Sequence, residues 1–148
     1  MANATSKLNI NESLSPRRDL KAVSKDLSRL NRELATQMII LASETNDVHA
    51  LVQSAEMLRK SQERFGPDNT AQESAEVHMI LASTLHKIAK ANQDIDVLEQ
   101  AISEYRLAIT LASVTNYDAL RTRLRHDYKR ARELMRDMTV NTSRKRSA

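Results

Sequence analysis

The chain is predicted to be all-α, built from two antiparallel helical hairpins with a period of 47 residues and a fifth, capping helix. Three observations carry that reading. One Gly and two Pro in 148 residues leave few turn or strand signals. The Ala, Leu, Glu, Lys, Arg and Gln that dominate instead favour helix. Apolar residues recur at three-and-four spacing over long stretches. Finally, the segment Leu34 to Ser61 recurs as Leu81 to Ala108: Met38 falls on Leu85, Ala42 on Ala89, Asp47 on Asp94, Val48 on Ile95, Leu51 on Leu98, Gln53 on Gln100 and Arg59 on Arg106. A fixed period of this length marks stacked helix pairs, each burying its apolar face only against its neighbour.

Residues 1–14, rich in Asn and Ser, offer too little apolar surface to offset the entropy of ordering and are expected to form a disordered tail. The folded domain is expected over 15–138. Ser15 can cap the first helix, Pro16 suits its first position, and Asp19 complements the positive end of its dipole. This helix should run to about Ser43. Asn46 or Asp47 caps a second helix, carrying Val48, Leu51, Ala55, Leu58 and Phe65. Gly66-Pro67 should end it, Gly by a left-handed turn and Pro by refusing to continue the helix. Thr70 and Glu73 form a capping box for a third helix, with Val77, Leu81, Leu85 and Ile88 on one side. Asn92 and Asp94 make the next joint, before a fourth helix with Ile95, Leu98, Ile102, Tyr105, Ile109 and Ala112. Thr115-Asn116 leads to a fifth helix carrying Leu120, Leu124, Tyr128, Ala131, Met135 and Met138. Residues 139–148 look like a free basic tail.

Composition narrows function. No cysteine means no disulfide framework and no thiolate metal site, which suits a reducing, cytoplasmic setting. The first residues lack the apolar core of a secretory signal, and no run is long enough to span a bilayer. His78 and His86 lie two turns apart on one helix and cannot share an ion directly. A single Gly excludes phosphate-cradling loops and nucleophile turns. The chain therefore reads as non-enzymatic, with no catalytic residue, no cofactor and no metal.

Leu81-Ala82-x-x-Leu85, followed by Ala101-Ile102-x-x-Tyr105-x-x-Ala108-Ile109-x-Leu111, resembles a tetratricopeptide-type (TPR-like) repeat. Leu34-Ala35-x-x-Met38 with Ser54-x-x-x-Leu58-x-x-Ser61 repeats the pattern more weakly. The resemblance covers roughly residues 25–114, with hairpins about seven residues longer than the family's. It implies an adaptor or scaffold for protein–protein interaction, whose partner groove is lined by the first helix of each pair. Carried over, the groove positions are Arg29, Arg32, Thr36, Ile39 and Ile40 in the first copy, and Glu76, Met79, Ser83, His86 and Lys87 in the second. Ile39, Ile40 and Met79 would form an apolar floor, and Arg29, Arg32 and Lys87 a basic rim for an acidic peptide. The competing reading makes Ile39 and Ile40 core residues and the charges a solvated face.

Two further patterns point to other partners. Leu20, Leu27, Leu34 and Leu41 recur every seventh residue, with Val23 and Leu30 between them, the seam of a coiled coil that could hold a homodimer. The same stripe is, however, expected to pack inside the molecule against the second and third helices. From Asp118 onward, ten Lys/Arg stand against four acids. Arg121, Arg125, Arg132 and Arg136 share an arc of about 60° on the fifth helix. Lys129 extends this edge, and Arg144, Lys145 and Arg146 follow. Such a cluster could bind a polyanion, either nucleic acid or an anionic membrane surface, or an acidic protein, or serve only as a solvated cap face.

Overall fold

A computed structural model of the chain describes residues 16–147 and is all-helical, with no strand among the described residues. The five helices are α1 (Pro16–Glu44), α2 (Val48–Phe65), α3 (Ala71–Asn92), α4 (Ile95–Val114) and α5 (Asp118–Ser147), with one 3₁₀ turn, Gly66–Asp68, between α2 and α3. The expected N-terminal tail and the Ser15 cap lie outside the described residues.

Three of the four joints share one construction. Asn46, Gln93 and Asn116 adopt left-handed φ of 53°, 52° and 55°. In each case the next residue donates its backbone N–H to a carbonyl five residues back. These bonds are Asp47 to Ala42 at 2.9 Å, Asp94 to Ala89 at 3.0 Å and Tyr117 to Ala112 at 3.0 Å. This geometry satisfies carbonyls that the helix end would otherwise orphan. Asp47 and Asp94 then cap the following helices, their carboxylates accepting from Ala50 N at 3.0 Å and Val97 N at 3.2 Å.

The fourth joint departs from expectation. Gly66 keeps right-handed dihedrals, φ −52° and ψ −40°, and the chain passes directly into the 3₁₀ turn. Pro67 sits at the start of that turn, where a missing N–H is harmless. Thr70 Oγ1 accepts from Glu73 N at 3.1 Å, but the Glu73 carboxylate turns away from the box and binds Arg32 of α1 at 3.2 Å. Asn69 completes this tie, accepting from Ser28 Oγ and Arg32 and donating to Gln62.

Buried residues form two clusters. One joins α1, α2 and α3 through Ala35, Ile39, Ala42, Leu51, Ala55, Leu58, Val77, Leu81 and Ile88. The other joins α3, α4 and α5, with Ala75, Ala82, Ala89, Leu98, Ala101, Tyr105, Ala108, Leu124, Ala131 and Met138. α3 is central because it is apolar on two sides: Val77, Leu81 and Ile88 enter the first cluster, Ala75, Ala82 and Ala89 the second. The alanines let α3 and α4 approach closely, and these two helices share the most extensive packing in the molecule. Buried Ser54 and Thr84 return their hydroxyls to the carbonyls of Ala50 and Ile80, both at 2.7 Å, so neither loses a partner on burial.

Burial follows the 47-residue echo. Ser28, Ala35, Ala42, Leu51, Ser54 and Leu58 are buried, and so are Ala75, Ala82, Ala89, Leu98, Ala101 and Tyr105 at the corresponding positions. Two pairs extend the series from α3 to α5, buried Val77 and Thr84 corresponding to buried Leu124 and Ala131.

Two expectations are corrected. The leucine stripe of α1 does not enter the core: Leu20 is 70% exposed, Leu34 53% and Leu41 62%. α1 instead turns Ser28, Ala35, Ile39 and Ala42 inward, because small side chains on that face allow close approach of α2. Residues 139–147 are not a free tail but the last turns of α5. Met138 anchors them, and the hydroxyls of Thr139, Thr142, Ser143 and Ser147 bond carbonyls four residues back.

Candidate partner-binding groove

The residues assigned to a groove on the first helices do not assemble into one surface. Ile39 is buried in the α1–α2–α3 cluster, Met79 packs against the α3–α4–α5 cluster, and Ile40 is exposed. Two of the three rim cations are paired with carboxylates. Arg29 lies between Asp26 and Glu33 at 3.8 and 4.0 Å, and Arg32 is held by Glu73. Thr36 bonds the Arg32 carbonyl at 2.7 Å. Lys87 reaches Ser43 Oγ at 3.3 Å, which ties α3 to the end of α1. Glu76 and Ser83 are half-buried on α3. His86 faces α4, its Nδ1 3.3 Å from the Tyr105 hydroxyl and its ring edge-on to that ring. Burial, first of all, pushes the His86 pKa below its ordinary 6.5, assisted by Arg130 and opposed by Asp127. The Tyr105 hydroxyl is pushed up, chiefly by burial.

A concavity of about 800 Å³ lies elsewhere, between α2 and α4 over the side of α3. α3 supplies an apolar floor from Leu81, Leu85 and Ile88. Val52 and Ala55 of α2 and Val97 of α4 form the apolar lower walls. Four carboxylates, Glu56, Asp96, Glu99 and Glu104, rim it against one guanidinium, Arg59. That guanidinium is already engaged. Arg59 Nη2 donates to both carboxylate oxygens of Glu56 at 2.7 and 2.9 Å, and Nη1 reaches Glu63 at 3.5 Å. The hydrogen bonds from Arg59 hold the Glu56 carboxyl below the usual range, so it stays ionised. At the other end, His78 of α3 pairs with Glu104. The groove therefore presents an apolar strip under a net negative rim.

The sequence did not disclose this site because its walls come from helices that are not consecutive. The one available signal was Val52, an apolar residue outside the buried set of α2 and 45% exposed.

On α5, the basic edge is exposed but partly engaged. Arg121 pairs with Asp118 at 2.8 Å, and Arg132 stacks on Tyr128, whose hydroxyl accepts from Arg106 at 3.2 Å. Those bonds from Arg106 and Arg132 lower the Tyr128 pKa. Arg125, Lys129, Arg136, Arg144, Lys145 and Arg146 all face solvent. Lys129 and Arg136 occupy the positions that Ala82 and Ala89 hold on α3, so the face by which α3 meets α4 is charged on α5. No described helix is long and apolar enough to cross a membrane, and no cluster of three His, Asp or Glu that could hold a metal occurs among the described residues. Comparison with known proteins finds no matching family model, no matching curated protein and no matching solved structure.

Proposed function

We propose that this protein is a non-enzymatic interaction module, an adaptor or scaffold of TPR-like antiparallel helical hairpins, acting in the cytoplasm. Its ligand is an extended or helical segment of another protein that carries apolar anchors flanked by Lys or Arg, and it lies in the groove between α2 and α4. The observation that carries this reading is the apolar floor of Leu81, Leu85 and Ile88 beneath four carboxylates, of which Asp96 and Glu99 have no engaged cation in the groove. Apolar anchors supply the affinity of such a site, and the rim selects sign and orientation. The hairpin-repeat reading rests on the shared joint geometry and on burial that recurs with the 47-residue period.

The test compares three forms of the chain as bait in native lysate after nuclease treatment: wild type, Val52→Asp with Glu99→Lys, and Arg125→Glu with Arg136→Glu. Both altered pairs are solvent-facing, so the helical fold should survive. A discrete protein retained by the first and third baits and lost from the second is the expected result. A partner unaffected by the groove pair but lost with the α5 pair would overturn the groove in favour of the basic helix.

A further inference from the structure

Among the described residues, the longest run of exposed large apolar side chains is the α1 stripe left outside the core. Leu20, Val23, Leu27, Leu30, Leu34 and Leu41 run along about 32 Å of helix, on a line roughly 125° around from the buried Ser28, Ala35 and Ile39 face. Position by position, Leu30, Leu34 and Leu41 precede Val77, Leu81 and Ile88 of α3 by 47 residues, and on α3 those positions are covered as part of the α1–α2–α3 core. Among the described residues, α1 thus ends the row of helices with a face built for covering. The opposite end is built differently, because α5 closes the row with exposed Lys129 and Arg136. Terminal elements of stacked helices ordinarily carry a polar outer face, as α5 does and α1 does not.

From these features we infer that α1 pairs in parallel with α1 of a second copy of this chain, forming a two-fold symmetric homodimer. The stripe has the spacing of a coiled-coil seam, leucines at every a position from Leu20 to Leu41 and Val23 and Leu30 at d. It offers on the order of 600 Å² of apolar surface per copy, which with its polar flanks approaches the roughly 800 Å² per partner of a standard interface. Head-to-tail stacking would press the leucines onto the α5 cations, so the closed pairing of like with like is preferred.

Charge selects the parallel orientation. One flank of the seam carries Asp19, Asp26 and Glu33 at successive g positions, the last two sharing the exposed Arg29 of the same helix; the other carries uncharged Ser24, Asn31 and Met38 at e. Arg64 of α2 lines that second flank, beside Leu20, Val23 and Leu27. In a parallel pair the g flank of one copy meets the e flank of the other, which brings Asp19 and Asp26 toward the second copy's cation. In an antiparallel pair the acids would face acids. Gln37, the only polar residue at a or d before the seam ends at Leu41, would meet its own copy in register, where the two amides can bond.

Sedimentation equilibrium of the full chain across a wide concentration range tests the inference. The expected mass is twice the 16.8 kDa of one chain, falling to the monomer on dilution. Leu27→Glu with Leu34→Glu, both solvent-exposed, should leave helical circular dichroism unchanged and weaken association at least about a hundredfold. Val52→Asp with Glu99→Lys should leave it intact, which separates this interface from the groove. Because the chain lacks cysteine, Gln37→Cys reports orientation: oxidation should link two copies of a parallel pair. A monomer at every concentration, a dimer that survives the double glutamate variant, a trimer or tetramer, or no cross-link at position 37 would each overturn the proposal.

Discussion

Single residues show how burial, rather than sequence spacing, sets the chemistry of this chain. His86 and His78 have similar positions on α3, yet His78 is paired with Glu104 while His86 is packed against the buried ring of Tyr105. The folded-state pKa of His86 lies below its value in the unfolded chain, so the unfolded state binds more protons between the two. The neutral ring therefore contributes stability that is full above pH 6.5 and is lost as pH falls through the folded-state value. Urea midpoints measured from about pH 7.5 down to about pH 5 should fall in the wild type and fall less in His86→Gln. Equal slopes in the two proteins would show that His86 is not desolvated. The spacing of the histidines was legible in the sequence, whereas their different partners depended on which face of α3 each side chain takes.

Elements were read from the sequence with most success where a local signal sufficed. Asp47, Thr70 and Asp94 cap α2, α3 and α4 as their side chains dictate, and the five helices fall where the apolar periodicity puts them. The exceptions are instructive. Nothing in Val-Asn-Thr-Ser-Arg-Lys-Arg-Ser breaks a helix, and extending one already nucleated is far easier than starting it, so α5 continues to Ser147. On α1, hydrophobicity singled out the leucines, but the packed face is the small one, Ser28, Ala35 and Ala42. The same rule governs α3 against α4, where Ala82 is fully buried at the helix contact. Ala82→Leu should destabilise the protein by about 1–3 kcal/mol through overpacking, while Ala119→Leu, exposed on α5, should stay within about 0.5 kcal/mol. Denaturant midpoints of the two variants make the comparison. A tolerated Ala82→Leu would mean that α3 and α4 have room between them and that their alanines are not there for close approach.

At the scale of the whole molecule, the row of helices has two unlike ends, and the groove arises between them because α2 and α4 both lean on α3 without filling the space that separates them. No local pattern encodes such a gap, which is why the sequence led instead to the outer faces of α1 and α3. The basic end can be examined by shortening α5. Beyond Met138 every residue to Ser147 is exposed apart from half-buried Thr142, and no later residue belongs to a core cluster. Truncation after Met138 should therefore keep the cooperative unfolding transition, with a melting temperature within about 3 °C of the full chain. Truncation after Lys129 removes Ala131, Leu134, Met135 and Met138, which cover α4 beside Leu124. That loss should lower the melting temperature by well over about 10 °C or abolish the transition, since several buried apolar side chains are each worth about 1.5–3 kcal/mol. Thermal melts of both forms would separate two parts of one continuous helix: a segment that closes the core, and a positively charged extension, free of any packing duty, that carries Arg144, Lys145 and Arg146 into solvent. Were the first truncation as damaging as the second, the last turns of α5 would have to be counted as part of the fold.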